Sequence, residues 1–352
     1  MRAVRPTFLY RVLLLTIVLG AGTTLPMTAA KNDADWKKLP VQVFLDKAKD
    51  VRYCETEAAN KTKVSVVIVP ASKSLEIRPV LNPVPCGTSE ALAKEDALVS
   101  VNAGYFNLHG GTSSGASAGY ITINGQLVCT PKDNEALTGN PKLKPFLSQI
   151  FDRSELRFIQ DSQGKTSIKI QPHSEALPQG FTLKHALQAG PRLLPQVTAK
   201  EEAFLRTEPD GSTTDSIGCL KTAGRTAFGI TSDGTAIIVC AAGPKQDEFS
   251  AGMTLQQLAE FMKQLGCVEA INFDGGTSTT MAIASNEKDG KKEKSESQVV
   301  NTKSSAQDTA DAIPADTKIL KSAGLKKQNY RLVCGRQPET HVKSCLIVKS
   351  TK

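Results

Sequence analysis

Aromatic residues are scarce in this chain: 12 Phe, five Tyr and one Trp make up 5% of 352 residues. The charge excess is mild too, +8 with histidine neutral, and it is spread along the sequence. Even the lysine run at Lys291, Lys292 and Lys294 is interrupted by Glu293. A nucleic-acid surface needs a concentrated basic stripe with aromatic faces interleaved. Lacking both, the chain reads as having a solvated, mixed-charge surface and no nucleic-acid partner. No cysteines stand in Cys-x-x-Cys spacing, and the four histidines (109, 173, 185 and 341) form no His-x-x-x-His pair. No zinc or other metal site is therefore read from the sequence, and no cofactor. A P-loop and a dinucleotide fingerprint between strand and helix are also missing. The scattered histidines assemble no Ser-His-Asp triad by spacing, and His109, beside Gly110 and Gly111, reads as a loop residue rather than an acid or base.

What is present begins with an N-terminal address. Arg2, Arg5 and Arg11 give a basic start, residues 12–21 are apolar and uncharged, and Thr28, Ala29 and Ala30 are small. That order predicts a secretory signal peptide over residues 1–30 and a secreted or periplasmic protein. The apolar run falls short of the roughly 20 residues that span a bilayer. An uncleaved anchor is the competing reading; cleavage would leave no stable membrane anchor. Removal of three arginines from +8 leaves +5. Eight cysteines, at 54, 86, 129, 219, 240, 267, 334 and 345, all lie beyond the leader. An even count in an exported chain predicts disulfides, with pairing undetermined.

Past a lead-in over 31–62, hairpin signals recur. Residues 120–123 and 126–129 flank Asn124 and Gly125, the dipeptide that best supports positive φ at both turn positions. Asp233-Gly234 plays the same part between 226–231 and 235–241, and residues 64–69 and 75–80 suggest a third pair with a longer connection. Residues 98–101 read as a buried strand leading to Asn102, and 268–273 as one delivering Asp274. Leu255, Leu258, Ala259, Met262 and Leu265 follow helical spacing, with a capping box from Thr254 to Gln257 and Gly266 at the far end. Residues 285–327 are polar and poor in clustered apolar residues, which predicts a mobile insertion between a domain over 63–284 and terminal strands over 328–352. The expected fold is α+β: mostly antiparallel sheets built from hairpins, with a few covering helices, in one domain.

Four segments combine glycine with polar residues at predicted strand ends: 102–107, 188–192, 225–229 and 272–278. Glycine admits tight turns and close approach of a ligand, and sites tend to form at strand ends. Each alone is equally well a turn or an internal ion pair. In this order they resemble the phosphodiester glycosidase family. The resemblance rests on Asn102 to Phe106, the Asn124-Gly125 hairpin, Gly190-Pro191-Arg192, Arg225-Thr226, Gly252 to Leu255, and Asn272 to Gly276 followed by Thr279, Thr280 and Met281. The polar insertion after Met281, and Gly243-Pro244-Lys245 in place of an acidic-glycine turn, depart from the family pattern.

The resemblance implies hydrolysis of a sugar-phosphate diester to free sugar, with a glycan or sugar-phosphate as partner. Cleaving a sugar C1–O bond develops positive charge on the ring, which a carboxylate stabilises. Asp274 is the candidate for that role. Arg192 and Arg225 are candidates for the phosphate, because a guanidinium fork matches its oxygens and stays charged. Asn102 and Asn272 would bind sugar hydroxyls or orient Asp274. Gly104, Gly275 and Gly276 would leave room for substrate, and Thr277 and Ser278 would donate to phosphate oxygens. Two other readings remain at this stage: a non-catalytic, disulfide-bonded glycan-binding module, and a phosphodiesterase cutting the other side of the phosphate.

Overall fold

Strands that are apolar at every position need cover on both faces. Ala236–Ala241 and Arg225–Thr231 are buried along their whole length, and both lie inside a seven-stranded sheet that is covered in this way. The computed structural model describes residues 35–39, 43–45, 48–58, 60–107, 115–285 and 330–351. The expected signal peptide, His109 and the expected polar insertion beyond Ser285 lie outside the described residues. The seven-stranded sheet orders Val43–Leu45, Ala48–Glu57, Lys63–Val69, Ala236–Ala241, Arg225–Thr231, Cys267–Asn272 and Arg192–Leu194, each pair antiparallel. One face sends Val67, Phe228, Ile238 and Ile271 into a core shared with two further sheets. The other packs Val66, Ile237, Val239 and Ala270 against Leu255, Leu258, Ala259 and Met262 of the helix Leu255–Gln264.

That helix starts as its sequence predicts. Gln257 N donates to Thr254 Oγ1 at 3.2 Å and Thr254 N donates to Gln257 Oε1 at 2.9 Å. A second sheet orders Gln126–Cys129, Ile121–Ile123, Thr182–Gln188, Ser154–Gln160 and Thr166–Pro172. The third orders Tyr330–Cys334, Met281–Ala284, Val99–Asn102, Val342–Ser350 and Leu75–Cys86. Its outer face is covered by the helix Thr88–Glu95, where Leu92 meets Val80, Ala282 and Ile347. Antiparallel sheets with few helices bear out the α+β expectation.

The Asn124-Gly125 turn has both residues at positive φ, 51° and 75°. At Asp233-Gly234 only the glycine does, at 83°. Asp233 holds that wider turn through its carboxylate instead, accepting Thr235 N at 3.1 Å and bonding the Thr231 hydroxyl. The third expected hairpin does not form. Lys63–Val69 belongs to the seven-stranded sheet, whereas Leu75–Cys86 pairs with Val342–Ser350. A partner from the far end of the chain replaces the sequence neighbour. The strands flanking residues 286–329 pair directly, with Ala284 opposite Tyr330.

The disulfide expectation is corrected: all eight cysteines are free thiols. Cys54, Cys219 and Cys267 fill the core beneath the helix Leu255–Gln264, while Cys240 and Cys334 fill the shared core. They act there as small apolar residues. Burial pushes the Cys267 and Cys345 thiols up to about 12. Thiol titration of the denatured, unreduced protein should therefore read all eight cysteines. A count well below that would restore the disulfide framework.

Candidate active site

The strand Val99–Asn102 ends on a side chain that is wholly buried. Asn102 Oδ1 accepts from Thr226 Oγ1 at 2.7 Å and from Thr280 N at 3.0 Å. Its Nδ2 donates to the Asp274 carbonyl at 2.6 Å. Asp274 N in turn donates to Ala103 O at 2.8 Å. Asn102 thus joins the third sheet to the seven-stranded sheet, and its bonds all run to protein atoms that position Asp274. Gly104 beside it donates to Ser344 Oγ at 3.0 Å, and a Cβ there would stand 3.3 Å from Gln188 O. It serves close packing between sheets.

Asp274 leaves the end of Cys267–Asn272 and keeps only part of its surface in solvent. Its Oδ1 accepts from Gly275 N at 2.9 Å, and the Ser278 side chain supplies a second hydrogen bond. Burial nevertheless dominates and raises the carboxyl to about 6. No cation among the described residues contributes to that balance. The loop beyond is clamped from behind: Gly276 N donates to Gly224 O at 2.8 Å, and Gln246 Nε2 donates to Gly276 O at 2.7 Å. Thr277 is partly exposed, and its carbonyl accepts from Thr340 Oγ1 at 2.7 Å.

On the other side of Asp274 lies Tyr105. Its hydroxyl faces Gly190 O at 2.8 Å and Phe273 O at 3.2 Å, and accepts from Asn272 Nδ2 at 2.8 Å. Burial, reinforced by the charge of Asp274, holds the phenol well above its ordinary pKa. Asn272 also donates to Gly190 O and Phe273 O, while its Oδ1 is buried without a partner among the described residues. Tyr105 packs on Phe204 at 5.4 Å between ring centroids, and the Arg153 guanidinium lies 3.7 Å above the Phe204 ring.

Glu202 organises this flank. Its carboxylate accepts from Arg192 N (3.0 Å), Ser154 Oγ (2.7 Å), Ser154 N (3.2 Å) and the Thr198 hydroxyl, and its carbonyl accepts from Arg153 Nε (2.9 Å). Gly190 has φ +100°, and a Cβ there would fall 2.1 Å from the Glu202 carboxylate. Only glycine lets that carboxylate reach the Arg192 amide.

The two arginines singled out in the sequence stand differently. The half-buried Arg192 side chain makes no hydrogen bond or ion pair with a described residue, and its Nε is buried without a partner. Arg225 is buried, and its guanidinium reaches four backbone carbonyls: Met253 at 2.8 Å, Ile217 at 3.1 Å, Gly218 at 2.6 Å and Lys221 at 2.9 Å. That leaves a single N–H uncommitted. Arg225 therefore holds the loops behind Gly275, close to where its Cδ would meet a Gly275 Cβ at 3.8 Å. It is not open to a phosphate in the way the sequence reading assigned. Arg153 and Glu202 carried no sequence signal; Tyr105 lay unassigned inside the 102–107 motif.

Two measurements follow from this geometry. Asn102→Ala should lower unfolding free energy by about 2–4 kcal/mol, since it strands three buried hydrogen-bonding partners; an unchanged denaturation midpoint would refute the joint. For Asp274, the unfolded carboxyl ionises at 3.8 and the folded one at about 6. Between these values the folded state keeps a proton that the unfolded state has released, so stability falls as pH rises through that window. Asp274→Asn should thus match wild type near pH ~4 and be more stable by roughly 2 kcal/mol above pH ~7, discounted for its part exposure. Urea unfolding at the two pH values decides it, and an asparagine variant less stable at both would contradict the raised pKa.

No curated protein matches the chain by sequence. In fold it is similar to a hypothetical protein from Synechocystis, with TM-score 0.50 and 15% identity over 88% of this chain. The chain spans 63% of that protein's length. It is also similar to the catalytic domain of zebrafish N-acetylglucosamine-1-phosphodiester alpha-N-acetylglucosaminidase, auto-inhibited by its pro-peptide. There the TM-score is 0.50 and the identity 15%, over 85% of this chain and 82% of that one. At such identities the likeness speaks for the fold alone. In sequence, residues 95–314 match the phosphodiester glycosidase family, a stretch that holds both Asn102 and Asp274. The chain belongs to the phosphodiester glycosidase family.

Proposed function

We propose that this protein is an exported hydrolase that cleaves the glycosidic bond of a sugar-phosphate diester and releases free sugar. The observation that carries the reading is Asp274: a desolvated carboxyl without a cationic partner among the described residues, at about 6, in a glycine-flanked loop. Groups perturbed in this way collect at functional sites. Breaking the bond between C1 and the phosphate oxygen leaves the electron pair on phosphate and positive charge on the sugar. Ionised Asp274 would stabilise that charge. A water oxygen then bonds C1 and gives its proton to solvent, yielding free sugar and a phosphomonoester.

The leaving phosphate is weakly basic, so neutralising its charge matters more than protonating it. Arg192 suits this task because its guanidinium has no protein partner among the described residues. Arg225 would contribute indirectly, by holding the backbone behind Gly275. The Gly275-Gly276 step would admit the sugar, with Ser278 orienting Asp274 and Thr277 offering a hydroxyl to phosphate. Asn102 and Asn272 would act by orientation. Fitting substrates are glycosylated phosphate esters of the cell envelope, such as teichoic-type polymers or capsular glycans.

The test is incubation of the protein with an N-acetylglucosamine 1-phosphodiester across pH. Free sugar should appear, and kcat/KM should rise with pH and level off above about 6 as Asp274 ionises. Asp274→Asn should lower kcat by roughly 10³-fold or more. Sugar 1-phosphate as product would show a phosphodiesterase instead. Equal release by wild type and Asp274→Asn would remove Asp274 from the chemistry.

A further inference from the structure

Three strongly buried arginines differ in how far their donors are engaged. Arg225 bonds four backbone carbonyls. Arg157 bonds the Glu155 carboxylate and the carbonyls of Glu175, Pro172 and His173. Arg153 is 7% exposed, yet among the described residues only its Nε is engaged, by Glu202 O at 2.9 Å. It has no ion pair with a described carboxylate, because the Glu202 carboxylate is taken up by Ser154, Thr198 and the Arg192 amide. The Glu202 charge acts on it without pairing with it; a guanidinium removed from water without a paired carboxylate is unfavourable, and an anionic ligand would relieve it. Burial accordingly draws its pKa down to about 10, which still leaves it cationic at neutral pH.

Its placement fits that ligand. The guanidinium carbon lies 3.7 Å from the centroid of the Phe204 ring, and neither Nη atom donates to a described residue. Phe204 packs on Tyr105, whose phenol feels the charges of both Asp274 and Arg153. Glu202 holds the Arg153 side chain through its carbonyl and the Arg192 backbone amide through its carboxylate, so one residue ties both arginines to this flank.

We infer that Arg153 is the second guanidinium of this site, a substrate-binding residue that with Arg192 receives the non-bridging oxygens of the phosphodiester. This rests on the sugar-phosphate reading proposed above. It gives the site its preference for a phosphate-bearing sugar over a neutral one. Lysine cannot replace it fully, because a point charge neither stacks on Phe204 nor offers a planar fork.

The test is calorimetric binding to the full chain of inorganic phosphate, of an N-acetylglucosamine 1-phosphodiester in the Asp274→Asn background, and of neutral N-acetylglucosamine. Arg153→Gln should weaken both phosphate ligands by about 10- to 100-fold, the loss of a charge-assisted pair, and leave the neutral sugar unchanged. Arg153→Lys should fall between, and it carries the test if the glutamine variant melts early. Unchanged phosphate affinity in a folded variant overturns the inference while leaving any sugar release intact. Equal weakening of all three ligands also overturns it, since that marks a structural role. Phosphate binding that needs Arg153 without any sugar release upholds the anion site and rejects the glycosidase. A wild type that binds neither phosphate ligand rejects the inference outright.

Discussion

The primary amide of Asn102 is the joint on which the site depends. Its three hydrogen bonds run to Thr226, Thr280 and Asp274, in segments that are distant from it in sequence. A buried amide left unpaired is costly, so these bonds fix how the third sheet meets the seven-stranded one. They also turn the Asp274 carbonyl inward, which leaves its carboxyl at the loop surface. An aspartate at 102 would lose the donor and bury a charge. The residue is required for what it can both give and accept.

Around that joint the polar groups fall into two sets. Arg225, Glu202 and Gln246 use their capacity on protein backbone and hydroxyls, and so stiffen the loops. Asp274, Arg192, Arg153 and the Oδ1 of Asn272 remain incompletely compensated. Folded interiors rarely leave polar groups in that condition. Asp274 and Asn272 flank the Gly275-Gly276 step in the chain, and the engagement of Arg225 by four carbonyls shows that burial of a charge alone does not leave it open to a ligand.

Much of the architecture was legible because its signals are local. The Asn124-Gly125 turn and the capping box at Thr254 depend on neighbours within a few residues, and both form as expected. The Leu75–Cys86 strand was misassigned for the opposite reason: its partner, Val342–Ser350, lies at the other end of the chain. The even cysteine count suggested covalent staples, but the thiols are shared among separate cores as packing residues. Glu202 carried no sequence signal, and only the +100° φ of Gly190 and the hydrogen bonds from Ser154 reveal its role.

By itself the sequence determined the strand and helix segments, the Asp-Gly-Gly loop and the presence of arginines among its motifs, since periodicity and turn chemistry are short-range properties. Which arginine is open to an anion was decided only by tertiary structure. Arg225 is occupied by carbonyls of Ile217, Gly218, Lys221 and Met253, while Arg153 is laid on Phe204 by a residue some fifty positions away. A guanidinium's availability depends on the acceptors that long-range folding brings to it, and nothing in its own sequence neighbourhood encodes them.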